Sequence, residues 1–310
     1  MLNIALQIEE EPMMSGQPLF QGSYVALMTP FSNGALDEAA FRKLVSWQIA
    51  EGTNGLIPVG TTGESPTLSH DEHKMVVEWC VDEAAGRVPV IAGAGSNSTD
   101  EAVDFVRHAS KAGADAVLVV TPYYNKPTQA GLMRHYETVA DASDVPVVIY
   151  DIPGRSVVSM AVDTMTALAE HPNITGVKDS SQDLSRPTEL GNRIGNGFSM
   201  LSGEDGTALP FRAAGGHGCI SVTANIVPRM LAEMHAAWQS GDIATAMAIN
   251  ARLMPLHAAM FCESSPGPVK YAASLMGLCG AEMRLPMTEI DASSKAKVKQ
   301  ALQEAGLFNG

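Results

Sequence analysis

Residues 116–122, AVLVVTP, stay apolar until they stop at Thr121-Pro122. A strand with one face in water alternates polar and apolar side chains. This run does not alternate, so it reads as a strand buried on both faces. Upstream of it lies an amphipathic segment beginning at Thr99, and the same unit recurs along the chain. The matching runs are 23–30 (SYVALMTP), 55–60 (GLIPVG), 89–95 (PVIAGAG), 146–153 (PVVIYDIP), 174–180 (ITGVKDS), 199–206 (SMLSGEDG) and 217–224 (HGCISVTA). The segments between them carry helix-start signals. Ser69 with Glu72 forms a capping box, and Asp37 opens a further segment. Eight strand–helix units predict parallel strands joined by right-handed crossovers. A closed (β/α)8 TIM barrel uses all eight without leaving an edge, and a doubly wound sheet is the competing architecture.

The remaining chain sets the boundaries. Residues 1–20 form a leader expected to be loosely ordered, 21–225 the barrel, and 226–310 a C-terminal helical extension with breaks expected at Pro255, Pro266, Pro268 and Pro286. The 310 residues carry 20 Lys plus Arg against 34 Asp plus Glu, a formal charge of −14, which is the wrong sign for coating phosphates and argues against nucleic acid as a partner. At 45% hydrophobic residues and a mean hydropathy of +0.04, the chain has ample material for a core. It contains no apolar run long enough for a membrane helix. The leader has no Lys or Arg to make a secretory n-region, and a cytoplasmic location is expected. Cys80, Cys219, Cys262 and Cys279 form no C-x-x-C pair and read as buried thiols.

In a barrel of this type chemistry collects at the C-terminal ends of the strands. The second run ends in Gly60-Thr61-Thr62-Gly63-Glu64-Ser65, which is either an anion-binding loop or an ordinary Gly-rich turn; no Gly-Lys-Ser/Thr follows to make a P-loop. The sixth run contains Lys178, the one lysine of nine that interrupts a strand. Desolvation there favours a neutral amine able to attack a carbonyl, and a structural ion pair inside the barrel is the competing reading. Tyr123, Tyr124 and Tyr150 fall at the ends of the two preceding runs, where a phenol can act in turn as acid and base. Arg155, past Pro153-Gly154, offers a planar fork for a carboxylate or else a surface ion pair. His70 and His73 share a helix face but lack a third ligand, so no metal site is expected.

Six motifs in register, GTTGES (60–65), TPYYNKPTQ (121–129), YDIPGRS (150–156), GVKDS (176–180), LSGEDG (201–206) and GGHGCISVTAN (215–225), resemble the dihydrodipicolinate synthase family of pyruvate-dependent class I aldolases. The resemblance runs from about residue 21 to the C-terminus. It implies a Schiff-base condensation of pyruvate with L-aspartate 4-semialdehyde to 4-hydroxy-tetrahydrodipicolinate, on the diaminopimelate route to lysine. Lys178 would carry the Schiff base, and Tyr150, Thr61 and Tyr124 a proton relay, with Tyr124 lent by a neighbouring subunit. Thr62 and Ile220 would hold pyruvate, and Arg155 the second substrate's carboxylate. The covalent lysine replaces any metal or organic cofactor. A homotetramer built as a dimer of dimers is implied. So is feedback inhibition by L-lysine through Ser65, Pro66, His70, His73, Asn97, Glu101 and Tyr123. Two positions depart from the pattern: Asp151 stands where the family usually has Asn, and Pro66 where Ala is common. Segment 263–268 (ESSPGP) also differs. Another pyruvate aldolase, an N-acetylneuraminate lyase or a keto-deoxy sugar acid aldolase, would keep Lys178, Tyr150 and the Gly-Thr-Thr loop. Arg155 and the Tyr123-Tyr124 pair favour a short carboxylate-bearing aldehyde instead.

Overall fold

The structure, a computed structural model, describes residues 16–308. All eight apolar runs form strands: β1 (Gly22–Ala26), β2 (Gly55–Ile57), β3 (Ile91–Gly93), β4 (Ala116–Val120), β5 (Val147–Asp151), β6 (Ile174–Asp179), β7 (Ser199–Ser202) and β8 (Gly218–Ser221). They make one parallel sheet in the order β2-β1-β8-β7-β6-β5-β4-β3. A bridge between Leu56 and Val90, with Leu56 N–H donating to Pro89 O at 3.0 Å, joins the two ends and closes the barrel. The strands stop earlier than the runs do, because the Gly, Pro and polar tails turn out of the ladder into the loops at the barrel mouth.

The absence of polar alternation is explained by two cores. Tyr24, Ile57, Ile91, Leu118, Val148, Tyr150, Leu201 and Ile220 face inward and fill the barrel interior. Their strand neighbours, such as Val25, Val117, Val119 and Ile149, face outward against the helices. Phe20 also belongs to the inner cluster, and its N–H donates to Ser199 Oγ at 3.0 Å. Ordered packing therefore includes the end of the expected leader, whose residues 1–15 lie outside the described residues.

Helix-start signals act where the sequence places them. Asp37 caps helix Glu38–Ala50 by accepting from Ala40 N–H, and Ser69 with Glu72 forms both bonds of a capping box on helix His70–Ala84. Helix Pro228–Gln239 follows β8 and packs on β1, completing the eighth unit, so the boundary expected at 225 falls before the last barrel helix. Helices Ile243–Met260, Gly267–Leu275 and Ala292–Glu304 form the extension.

Two expectations need correction. Pro255 does not break its helix: it lies inside Ile243–Met260, and both it and Ala251 are exposed, so the carbonyl that loses its donor faces water. Of the four free thiols, Cys80 and Cys219 are buried, but Cys262 and Cys279 are only half-buried, because they sit on or beside the extension rather than in the barrel. Among the described residues, no helix is long and apolar enough to cross a membrane.

Candidate active site

Parallel pairing sets the centre of the site. In the register of β5 with β6, Tyr150 lies beside Lys178 and Asp151 beside Asp179. Lys178 is 6% exposed, and its Nζ lies 4.1 Å from the centroid of the Tyr150 ring, within cation–π range. The lysine's stem needs room on its other side: a Cβ at Gly203 would fall 3.0 Å from Lys178 Cε and would collide with Ser180 Oγ. Only glycine leaves Lys178 its place there. The expectation of a lysine in a doubly buried strand holds, and no carboxylate pairs with it among the described residues. That removes the structural ion pair as its explanation.

A cavity of about 240 Å³ opens above Tyr150 at the C-terminal mouth. It is lined by Thr61, Ser65, Pro66, Tyr123, Tyr150 and Arg155, among others. Thr62 and Ile220 lie buried behind this lining, at 3% and 0% exposure. Loop 60–65 turns its Gly63, Glu64 and Ser65 N–H groups inward onto Gly60 O and Thr61 O. The N–H groups of Thr61 and Thr62 have no acceptor among the described residues. The Gly60 N–H has none either, so the loop amides left for an anion are those of Gly60, Thr61 and Thr62. Arg155 sits on the short helix Pro153–Ser156, exposed and without a carboxylate partner among the described residues, so it is not a surface ion pair.

Tyr124 is not part of the cavity. It is 88% exposed and its backbone is left-handed, φ +73°, an unfavourable conformation for a bulky residue and one typical of functional loops. The side chain projects away from the rest of the chain. Asn125, next in the chain, donates from Nδ2 to Asn97 O at 2.8 Å, tying this loop to the one after β3.

Of the residues expected to hold an effector, Ser65, Pro66 and Tyr123 line the cavity itself, Asn97 accepts from Asn125, and His70, His73 and Glu101 are neighbours of one another. His70 Nε2 lies 2.5 Å from Glu101 Oε1, and Ser96 Oγ donates to the other oxygen of that carboxylate. His73 stacks on Phe105 with centroids 4.1 Å apart, and burial pulls its pKa down to about 4, so it is neutral at pH 7. The negative member of the group is therefore Glu101.

Sequence reasoning missed three supports of the site. Arg186, 8% exposed, bridges the strand ends next to the Tyr150–Lys178 pair: its Nη2 lies 3.0 Å from Asp151 Oδ2 and its Nε 2.9 Å from Asp179 Oδ2. Burial nevertheless raises the Asp151 carboxyl above its usual range, with Arg186 pulling the other way. Asp205, fully buried, accepts from Ser221 Oγ and from the Val222 and Thr223 N–H groups at 2.9 and 3.2 Å, which fixes the turn after Ile220. Glu204 lies close enough to Lys178 to feel its charge; burial raises its carboxyl, while Gln182 and Lys178 lower it. All three are polar residues in or beside the quoted motifs. What the sequence could not show is which of them meet across the barrel.

A closed barrel with a buried lysine against a phenol, at the mouth where its strands end, defines a lyase of the class I aldolase type. Comparison with known proteins narrows the class. Residues 19–305 match the model of the Dihydrodipicolinate synthetase family. The chain is 58% identical over 296 residues to the 4-hydroxy-tetrahydrodipicolinate synthase of Bradyrhizobium diazoefficiens, covering 96% of this chain and 100% of that one. Among solved structures, it is similar to the chloride-inhibited dihydrodipicolinate synthase of Acinetobacter baumannii complexed with pyruvate. The TM-score is 0.91 and identity 43%, over 93% of this chain and 99% of that one. The synthase of Cyanidioschyzon merolae with lysine bound matches with a TM-score of 0.91 and 36% identity, over 94% and 100% of the two chains. The chain belongs to the dihydrodipicolinate synthetase family.

Proposed function

We infer that the chain catalyses the 4-hydroxy-tetrahydrodipicolinate synthase reaction, the condensation of pyruvate with L-aspartate 4-semialdehyde, and that the residues above divide the work as follows. Lys178 Nζ attacks the pyruvate ketone, and the carbinolamine loses water to give an iminium. Tyr150, against which that amine packs, passes protons in both directions through a relay with Thr61. The Thr61 and Thr62 amides take the pyruvate carboxylate, and Ile220 closes the apolar side of its pocket. Loss of a methyl proton gives the enamine, which attacks the aldehyde carbon. The semialdehyde's own amino group then displaces Lys178 and closes the ring. Arg155, on the rim of the same cavity and lacking an internal partner, holds the second substrate's carboxylate.

The observation that carries this reading is the Tyr150–Lys178 pairing on adjacent strands, with Tyr150 lining a cavity that is also lined by Thr61 and by Arg155, an arginine with no carboxylate partner among the described residues. The enzyme works without a bound metal or organic cofactor, because the iminium itself is the electron sink. Tyr124, projecting 88% exposed, completes the relay of a neighbouring subunit in a cytoplasmic homotetramer built as a dimer of dimers. L-Lysine binds beside the cavity, its ammonium facing Glu101, and inhibits; Ser65, Pro66 and Tyr123 line the cavity as well and connect the two sites. The test is to supply pyruvate and L-aspartate 4-semialdehyde and follow the condensation product. Turnover confined to sugar acids overturns the assignment.

A further inference from the structure

Loop 60–65, which carries Thr61 and Thr62, is held in a shape it would not adopt alone. Val59, just before it, and Glu64, within it, have left-handed backbones, φ +49° and +56°, and for a β-branched valine that conformation is a strong outlier. Two such residues persist only where their surroundings over-determine them. One restraint comes from the barrel: Thr29 Oγ1 donates to Gly63 O at 2.7 Å. The other comes from the C-terminal extension and is buried. Glu64, 4% exposed, turns its carboxylate away from the cavity, and Lys270, on helix Gly267–Leu275, meets it. Lys270 Nζ lies 2.5 Å from Glu64 Oε1, also donates to Glu282 O at 2.7 Å, and sits 4.2 Å from the Phe31 ring centroid. Arg284 N–H donates to Glu64 Oε2 at 3.1 Å. Lys270 is wholly buried, and burial pulls its pKa below the usual ammonium range while the Glu64 carboxylate pulls the other way. Among the described residues, its hydrogen bonds go to Glu64 and Glu282 and none to Tyr150, Thr61 or Lys178, so the proton relay does not use it.

We propose that Lys270, acting through Glu64, is a positioning residue that holds the Thr61–Thr62 amides where they bind the pyruvate carboxylate, so that the C-terminal extension is a working part of the active site. The proposal rests on the assignment of Thr61 and Thr62 to pyruvate. A lysine reaching the loop from outside the barrel can fix a backbone turn without occupying the cavity.

Three variants of the full-length enzyme test it: Lys270→Met, Glu64→Gln, and the double variant. Lys270→Met leaves a buried carboxylate unpaired, whereas the double variant leaves no buried charge and regains thermal stability. The expected result is that all three raise the KM for pyruvate about tenfold or more and lower kcat, and that the double variant stays impaired although its Tm recovers. A merely structural pair predicts that activity recovers with Tm. The proposal is overturned if it does, or if Glu64→Gln, the near-isosteric change, leaves kcat and pyruvate KM within about twofold of the parent. Lys295→Gln, which breaks the surface pair with Glu289 on the same extension, is the control expected to change nothing. Thr62→Pro, which deletes that residue's N–H, separates the two claims. If it leaves pyruvate saturation unaltered, the loop's assignment fails; if it weakens saturation while the Lys270 and Glu64 variants do not, only the positioning role fails.

Discussion

Replacing Arg186 with Met tests whether the clamp behind the site sets the alignment of the reacting pair. The guanidinium is the one cation between two carboxylates, Asp151 at 0% and Asp179 at 3% side-chain exposure, at 3.0 and 2.9 Å. Those carboxylates pair in the same register as Tyr150 and Lys178, one residue along. Removing the cation leaves two buried like charges on adjacent strands. Breaking a buried pair by deleting one partner costs about 3–5 kcal/mol, and two orphaned carboxylates put this case near the upper end. For a chain of this size that corresponds to a fall in Tm of about 10 °C. The strand ends then part, and a misplacement of about 1 Å between the amine and its proton carrier costs about a hundredfold in kcat. Arg186→Lys recovers the charge but not the bridge, since one ammonium replaces two guanidinium nitrogens that each lie against a different carboxylate, and falls between the parent and the Met variant. Thermal denaturation and steady-state kinetics on the purified variants measure both effects. A Met variant with Tm lowered by less than about 2 °C and kcat within about threefold of the parent refutes the reasoning.

Three further outcomes follow from the same geometry. Arg155→Met raises the KM for the semialdehyde about 10- to 100-fold, the worth of one charge-assisted hydrogen bond, and leaves the pyruvate KM alone; a parallel rise in both constants contradicts its role. Asp151 has a folded pKa raised above 3.8, so the folded state binds its proton more tightly than the unfolded one, and its contribution to stability is lost as pH rises from 3.8 through the raised value. Asp151→Asn removes that loss, so denaturant titrations show the variant gaining on the parent across this interval and no further above it; a pH-independent difference counts against the argument. Glu101→Gln removes the carboxylate that His70 and Ser96 hold between them. It should raise the L-lysine concentration for half-inhibition at least about tenfold, and an unchanged titration excludes Glu101 from the effector site.

The fold was legible because the repeating unit is local: an apolar run too short for a helix, a polar or Gly/Pro tail, then a capped amphipathic segment. Barrel closure itself is non-local, but eight such units leave few other arrangements. Lys178 could be singled out because a charge inside AVLVVTP-like sequence is anomalous wherever it occurs. Lys270 could not. It follows Pro266-Gly267-Pro268 at a helix start, where a lysine usually reaches solvent, and its burial depends on Glu64 being 206 positions away in sequence. Arg186 was hidden for the same reason, since Ser185-Arg186-Pro187 reads as an ordinary exposed helix start. The Gly-Thr-Thr loop was legible as a class of turn, but its unused amides are a matter of which internal bonds the other three form. Pro255 misled because the rule against proline in helices presumes that the lost carbonyl partner is buried, and at Ala251 it is not.

Central to the account is a covalent bond at one nitrogen. Incubating the enzyme with pyruvate and sodium borohydride reduces an iminium to a stable secondary amine, and peptide mapping by mass spectrometry locates it. The account predicts one pyruvate-derived adduct, on the β6 peptide at Lys178, with loss of activity in proportion to labelling. An adduct on Lys270 or a surface lysine, or no adduct while the enzyme turns over, would contradict it.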